Sequence, residues 1–315
     1  MVYFLVAILI FGVIFMMGPR LDLDVKIRDV KLSDNLDLYL TQQESLFSDI
    51  KLNTEKRIVW ADPNNKKPSK TSLVFVHGFS ASRQEVSPLL ENLAKQMSAN
   101  VYFTRLQGHG RSNDAMAEVS LSGMLIDTVE ALGIGRRIGE KVILVGNSTG
   151  ATLITWLVAS QNIDAVSGIV LLSPNYGLKH PKSRLLVLPW AKYFIPFFEG
   201  PTYRFKPDGE SQRRYWTYEY PINALFPMMA LISLTNDTNI EKINVPLLMM
   251  YSENDGVVDV NKIKDTFERF GSLEKRLIPV GGAQGRQRHV LAGDALSPGT
   301  TEIVSDEIIK FIKTL

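Results

Sequence analysis

One run constrains this chain more than any other. Val142-Ile143-Leu144-Val145 leads straight into Gly146-Asn147-Ser148-Thr149-Gly150, and the apolar, helix-compatible Ala151–Ala159 follows. Branched apolar residues favour a strand. A strand, a tight turn and a helix in that order hold a serine in a strained backbone conformation above a sheet edge. Small residues must flank the serine so that strand and helix can pass closely, and Gly146 and Gly150 meet that need. At average glycine and serine usage, a chain of this length yields about 0.1 such motifs by chance. The strand before it and the helix after it carry the assignment.

The rest of the chain repeats the alternation. Leu73–Val76, Asn100–Phe103, Gly168–Leu172, Val245–Tyr251 and Lys275–Val280 read as strands, and Leu121–Leu132 and Thr301–Leu315 as helices. Continuous apolar runs mark strands buried on both faces. The pattern predicts an α/β fold with a doubly wound, mostly parallel sheet. The 315 residues carry a net charge of +2, which implies no polyanionic partner and no nucleic acid. Cysteine is absent, so disulfides, thiolate metal sites, a cysteine nucleophile and a lipid-bearing cysteine are excluded.

Four segments follow from composition. Residues 1–18 have no charged side chain and come close to the ~20 residues of a membrane span. No basic stretch precedes this run and no small-residue cleavage site follows it, so it reads as a single N-terminal membrane anchor, with a membrane location for the protein. Residues 19–68 form a charged arm, with a short amphipathic helix near Leu36–Phe47 and a strand near Lys56–Trp60. Residues 69–174 and 237–315 form the α/β core. Residues 175–236 are rich in aromatics and proline and lack strand alternation, so they read as an inserted helical cap.

A serine hydroxyl needs a base, and the base needs an acid to orient it. Of the four histidines, His77 and His109 sit in glycine-flanked turns before the serine, and His180 lies beside Pro181. Only His289 lies in a loop after the last strand. Asp255 falls at the end of the preceding strand, with Glu253 and Asp259 as nearby alternatives. Ser148, Asp255 and His289 therefore form the candidate triad. Two N–H groups are needed for the negative charge that develops on an acyl oxygen. Thr149, after the serine, and Phe79, after His77-Gly78, are placed to supply them.

Other signals fail. Gly133-Ile134-Gly135-Arg136-Arg137-Ile138-Gly139 resembles a nucleotide loop but precedes a strand, and reads as a helix-to-strand connection. No motif calls for a metal or an organic cofactor. Lys192, Arg204, Arg213 and Arg214 lie among the cap's aromatics and read as solvated charges or lipid-headgroup contacts.

His77-Gly78-Phe79, the segment Leu106–Ser112, the serine motif, Asn254–Val258 and His289 together resemble the α/β-hydrolase superfamily. The resemblance is to the branch of monoacylglycerol lipases and related esterases. It runs from about Leu73 to the C-terminus. It implies the same triad, Phe79 and Thr149 as oxyanion donors, and a small-molecule ester or lipid as substrate. Asn147 and Thr149 depart from the family pattern, where His and Met, Gln or Leu are common. The expected function is ester hydrolysis through an acyl-enzyme. An aminopeptidase or amidase with the same triad is the alternative, holding a substrate ammonium with Glu199, Asp208, Glu210 or Glu219. A binding protein on a hydrolase scaffold is the reading from another class.

Overall fold

The apolar runs become the central strands of one seven-stranded sheet. The computed structural model describes residues 1–315. Its strands are β1 (Arg57–Val59), β2 (Ser69–Val76), β3 (Asn100–Phe103), β4 (Gly139–Asn147), β5 (Val166–Leu172), β6 (Thr202–Arg204), β7 (Glu219–Pro221), β8 (Leu247–Tyr251) and β9 (Lys275–Pro279). The main sheet has the order β1-β3-β2-β4-β5-β8-β9. All its pairs are parallel except β1 with β3. The α-helices are α1 (Val2–Met16), α2 (Leu36–Glu44), α3 (Leu89–Met97), α4 (Leu121–Ile138), α5 (Thr149–Ser160), α6 (Ala191–Glu199), α7 (Glu210–Tyr215), α8 (Leu225–Asn236), α9 (Val260–Arg269) and α10 (Thr301–Ile312). This is the α/β fold with a mostly parallel sheet expected from the alternation.

Strand periodicity divides the core in two. Val74, Val76 and Leu144 face one layer with α4 and α5 residues such as Leu125, Ile134 and Leu153. Leu73, Phe75, Ile143 and Val145 face the other, with Leu90 and Leu93 of α3 and Val304 and Ile308 of α10. Each such large side chain, fully buried, contributes about 1.5–3 kcal/mol. A sheet covered on both faces needs unbroken apolar strands, which is why the runs show no alternation.

α4 continues six residues past the expected end at Leu132, so the glycine-rich stretch is helix, not connection. Gly135 explains this. A Cβ there would stand 2.5 Å from Val74 Cγ2, so the glycine lets α4 lie directly on β2. The Ser72 hydroxyl then donates to the Gly135 carbonyl at 2.8 Å.

The stretch from Asn175 to Asn236 holds α6, α7 and α8 and also an antiparallel ribbon, β6 with β7. Strands of three residues are too short to show a period, so the ribbon is invisible in the sequence. Leu186, Ala191, Ile195, Ile222, Met228, Met229 and Ile232 form a separate small core there. The segment before β2 is bound to the sheet. β1 is its antiparallel edge, and Arg105 and Arg111 pair with Glu44 at 2.8 Å and Asp49 at 2.7 Å.

The expected membrane anchor is overturned. α1 has 15 residues, and at 1.5 Å per residue it is about 22 Å long, short of the ~30 Å hydrocarbon core. No helix of the chain is long and apolar enough to cross a membrane. The uncharged run misled because its last residues leave the helix. Met17 caps α1, and the Pro19 carbonyl accepts the Trp190 N–H at 2.8 Å. The Trp190 indole donates to the Phe15 carbonyl at 3.1 Å, closing the helix end. The membrane location expected from that anchor falls with it.

Candidate active site

The C-terminal ends of β2, β4, β5 and β8 converge on one edge, where open α/β sheets form their sites. Ser148 stands between β4 and α5 with φ 52° and ψ −117°, a left-handed backbone that a non-glycine residue rarely adopts. The flanking glycines make this turn possible. A Cβ on Gly146 would lie 2.6 Å from the Ala151 nitrogen, and one on Gly150 would lie 2.0 Å from the Val76 carbonyl oxygen. The Ser148 N–H donates to the Leu172 carbonyl at 2.8 Å. The strain is thereby anchored to the neighbouring strand.

Asp255 follows β8 and is fully buried. Its Oδ1 accepts the Val257 and Val258 N–H groups at 2.7 and 3.0 Å. Its Oδ2 lies 2.7 Å from His289 Nδ1. The Gly256 N–H donates to the Gln287 carbonyl at 2.8 Å, joining the aspartate turn to the histidine loop. Burial alone would lower the His289 pKa, but the Asp255 charge and hydrogen bond, with a smaller push from Glu85, raise it above the ordinary value. His289 Nε2 is buried and has no hydrogen-bond partner. The alternative acids are occupied elsewhere. Asp259 caps α9 by accepting the Asn261 N–H at 3.0 Å, and Glu253 pairs with Lys264 at 2.9 Å on the surface.

Phe79 follows the end of β2, and its N–H has no acceptor among the turn, cap and side-chain hydrogen bonds. The same holds for the Thr149 N–H, at the first turn of α5. Gly78 packs against the serine, since a Cβ there would come 3.2 Å from Ser148 Cβ.

The other histidines do different work. His77 Nδ1 donates to the Gly78 carbonyl at 2.8 Å while Nε2 accepts the Leu106 N–H at 3.1 Å. Burial holds its pKa down to about 3. His109 is also buried, with its pKa lowered to about 4, and its ring meets the Phe79 ring edge-on at 5.2 Å. His180 caps a short helical turn by accepting the Lys182 N–H at 3.2 Å. One residue here has no sequence signal. Glu85, in a 3-10 turn after Ser82, is buried, and its Oε2 accepts the Gly78 N–H at 2.7 Å. No motif distinguishes it from an exposed turn carboxylate.

A protein-family model described as serine aminopeptidase, S33 (Hydrolase_4) matches residues 67–284. The match stops five residues before His289 (289 − 284). The chain is 23% identical over 221 residues to the thermostable monoacylglycerol lipase of Bacillus sp. strain H-257, covering 69% of this chain and 84% of that one. Among solved structures, a metagenome-derived lipolytic enzyme of the LipS and LipT study superposes with TM-score 0.69 at 20% identity, covering 84% of this chain and all (100%) of that one. A soluble variant of the Saccharomyces cerevisiae monoglyceride lipase gives TM-score 0.61 at 13% identity, covering 95% and 97%. At these identities the superpositions establish the fold.

Proposed function

For this chain, which belongs to the family described as serine aminopeptidase, S33 (Hydrolase_4), we propose ester hydrolysis through Ser148, His289 and Asp255. It is an α/β-hydrolase of the esterase and monoacylglycerol-lipase type. In this mechanism Ser148 Oγ attacks the acyl carbonyl as its proton passes to His289 Nε2. Asp255 holds the ring by Nδ1 and stabilises the imidazolium. The Phe79 and Thr149 N–H groups donate to the tetrahedral oxyanion. The C–O bond to the alcohol breaks, and the alcohol leaves with the proton from His289. Water then gives a proton to His289 and attacks the acyl carbonyl, the acyl–Oγ bond breaks, Ser148 Oγ takes the proton back from His289, and the acid leaves.

The observation that carries this reading is the buried pair of His289 Nδ1 with Asp255 Oδ2 at 2.7 Å, with Nε2 left unpartnered. Such a pair fixes the tautomer that a base needs. A second observation favours esters over peptides. Glu199, Glu210 and Glu219 are paired with Lys182, Arg213 and Arg204, and Asp208 accepts the Arg286 backbone N–H. Each of the four already has a partner within the chain. A fluorophosphonate should label Ser148, p-nitrophenyl esters should be turned over in preference to aminoacyl-nitroanilides, and Ser148→Ala should abolish both labelling and turnover. Labelling elsewhere, or a nitroanilide preference, contradicts the proposal.

A further inference from the structure

A second carboxyl group lies at the proposed site, beside Gly78. Glu85 is only 3% exposed. Its Oε1 and Oε2 stand 2.8 and 3.2 Å from the point that a Gly78 Cβ would occupy, and Ser148 Cβ stands 3.2 Å from the same point. The space that a side chain at position 78 would fill is therefore shared between this acid and the serine. The 3-10 turn that carries Glu85 is itself pinned. A Cβ on Gly293, four residues past His289, would meet the Glu85 carbonyl oxygen at 2.9 Å and Val86 Cα at 2.8 Å. Glu85 thus binds the Gly78–Phe79 loop and lies beside the serine turn and the histidine loop.

Its surroundings are unusual for a surface-turn acid. No cation neutralises it, because the nearby Arg83 guanidinium reaches away to Glu55 at 3.0 Å and over the Phe103 ring. The one titratable group that acts on it is His289. The Asn147 amide lies beside it and favours its charged form, yet neither polar atom of that amide makes a hydrogen bond of good geometry. A buried carboxyl without a counterion costs stability unless its hydrogen bonds and neighbours hold it, and such groups concentrate at functional sites.

We propose that Glu85 is a positioning residue for the hydrolysis assigned above. Its carboxylate holds the Gly78 amide, so aiming the Phe79 N–H at the oxyanion, and it gives His289 a second anionic neighbour beside Asp255. The inference rests on the triad reading. The first role follows from geometry. The Gly78 N–H, bound at 2.7 Å, fixes the start of a loop whose next N–H has no acceptor of its own. Charge-assisted hydrogen bonds are about twice as strong as neutral ones, so the ionised form sets that orientation best. The second role is electrostatic, since Glu85 contributes to raising the His289 pKa. Burial pushes the Glu85 pKa up to about 7, with the Gly78 N–H and His289 acting against it. The charged form of each favours that of the other, so both bear on the acid limb of the rate profile.

The test compares full-length wild type, Glu85→Gln and Glu85→Ala by fluorophosphonate labelling, thermal unfolding, and kcat and KM on a p-nitrophenyl ester from pH 5 to pH 9. Glutamine keeps an acceptor for Gly78 but removes the charge. The expected result for Glu85→Gln is kcat lowered about tenfold with KM within about twofold, as for an interaction made in the transition state. Its acid limb should move to lower pH by about half a unit or more, because His289 loses an anionic neighbour. Glu85→Ala should lose about 100-fold in kcat, the scale of one oxyanion donor. If the alanine variant does not fold, the glutamine variant decides. A merely structural glutamate would lower the unfolding temperature and leave the acid limb in place. An unchanged kcat or an unmoved acid limb in Glu85→Gln overturns the proposal while wild type still labels and turns over. Absence of labelling and turnover in wild type instead removes the hydrolase reading itself.

Discussion

At the scale of single residues, acids of one type are separated by a few positions and by entirely different jobs. Asp255 and Asp259 are both near the end of β8, but Asp255 is fully buried against His289 and Asp259 is a helix cap. The proposed roles predict opposite profiles. Asp255→Asn should lower kcat by about 10⁴, because an amide stabilises the wrong tautomer and no imidazolium. It should also move the acid limb of kcat/KM to lower pH, since the Asp255 charge is the main cause of the raised His289 pKa. Asp259→Ala should leave kcat within about twofold and cost about 1 kcal/mol of stability through the lost cap. Steady-state kinetics with urea unfolding on both variants checks this, and the reverse ranking would reassign the acid.

Elements decide what reaches the site. α6 turns Ala191 and Ile195 into the small separate core but leaves Phe197 and Phe198 exposed, with rings edge-on at 5.0 Å. Phe79 packs against the cluster that holds Ala191 and Ile195, and a large exposed apolar pair on the same helix is a surface that acyl chains can meet. Each methylene that a substrate buries gains about 0.8 kcal/mol, or roughly fourfold in binding. For p-nitrophenyl esters, kcat/KM should therefore rise from two-carbon to about eight-carbon acyl chains. Phe197→Ala or Phe198→Ala should flatten that rise more than it lowers activity on acetate. A maximum at acetate would mean a small closed acyl pocket. The ribbon of β6 with β7 shows what sequence reading loses at this scale. Its strands span three residues each, too few for any pattern within them to show the pairing.

For the whole molecule, ion pairs join the segment before β2 to the core. Lys56 is buried between Asp127 and Glu130, and Tyr39 donates to Glu130 at 2.6 Å. The Asp127 Oδ2 accepts the Gln107 N–H at 2.6 Å, carrying the network to the loop of His109. Burial raises the Asp127 pKa to about 6, and the Lys56 charge opposes that rise. Removing the cation strands two buried carboxylates, which typically costs about 3–5 kcal/mol. Lys56→Met should lower the urea midpoint accordingly at pH 8. The loss should shrink as pH falls from 8 towards about 6, because without the Lys56 charge Asp127 takes up its proton in the folded state at a higher pH than in wild type. A pH-independent loss would mean that packing, not charge, is what Lys56 supplies.

The sequence by itself determined the central strands, the serine turn and the order of serine, aspartate and histidine. These features are local. A buried strand must be apolar along its length, and a left-handed serine turn must have glycines where strand and helix touch. Proximity across the fold lay beyond it. That Asp255 and not Asp259 meets His289, that β6 pairs with β7, and that Glu85 lies against Gly78 are contacts between segments far apart or differently turned. Residue types at those positions are compatible with a solvated surface. The N-terminal run is the reverse case. Its composition counted every uncharged residue, but only the folded chain shows α1 ending at Met16, where the backbone turns to bind Trp190. Apolar composition sets an upper bound on a span, and the point at which the helix stops decides its length.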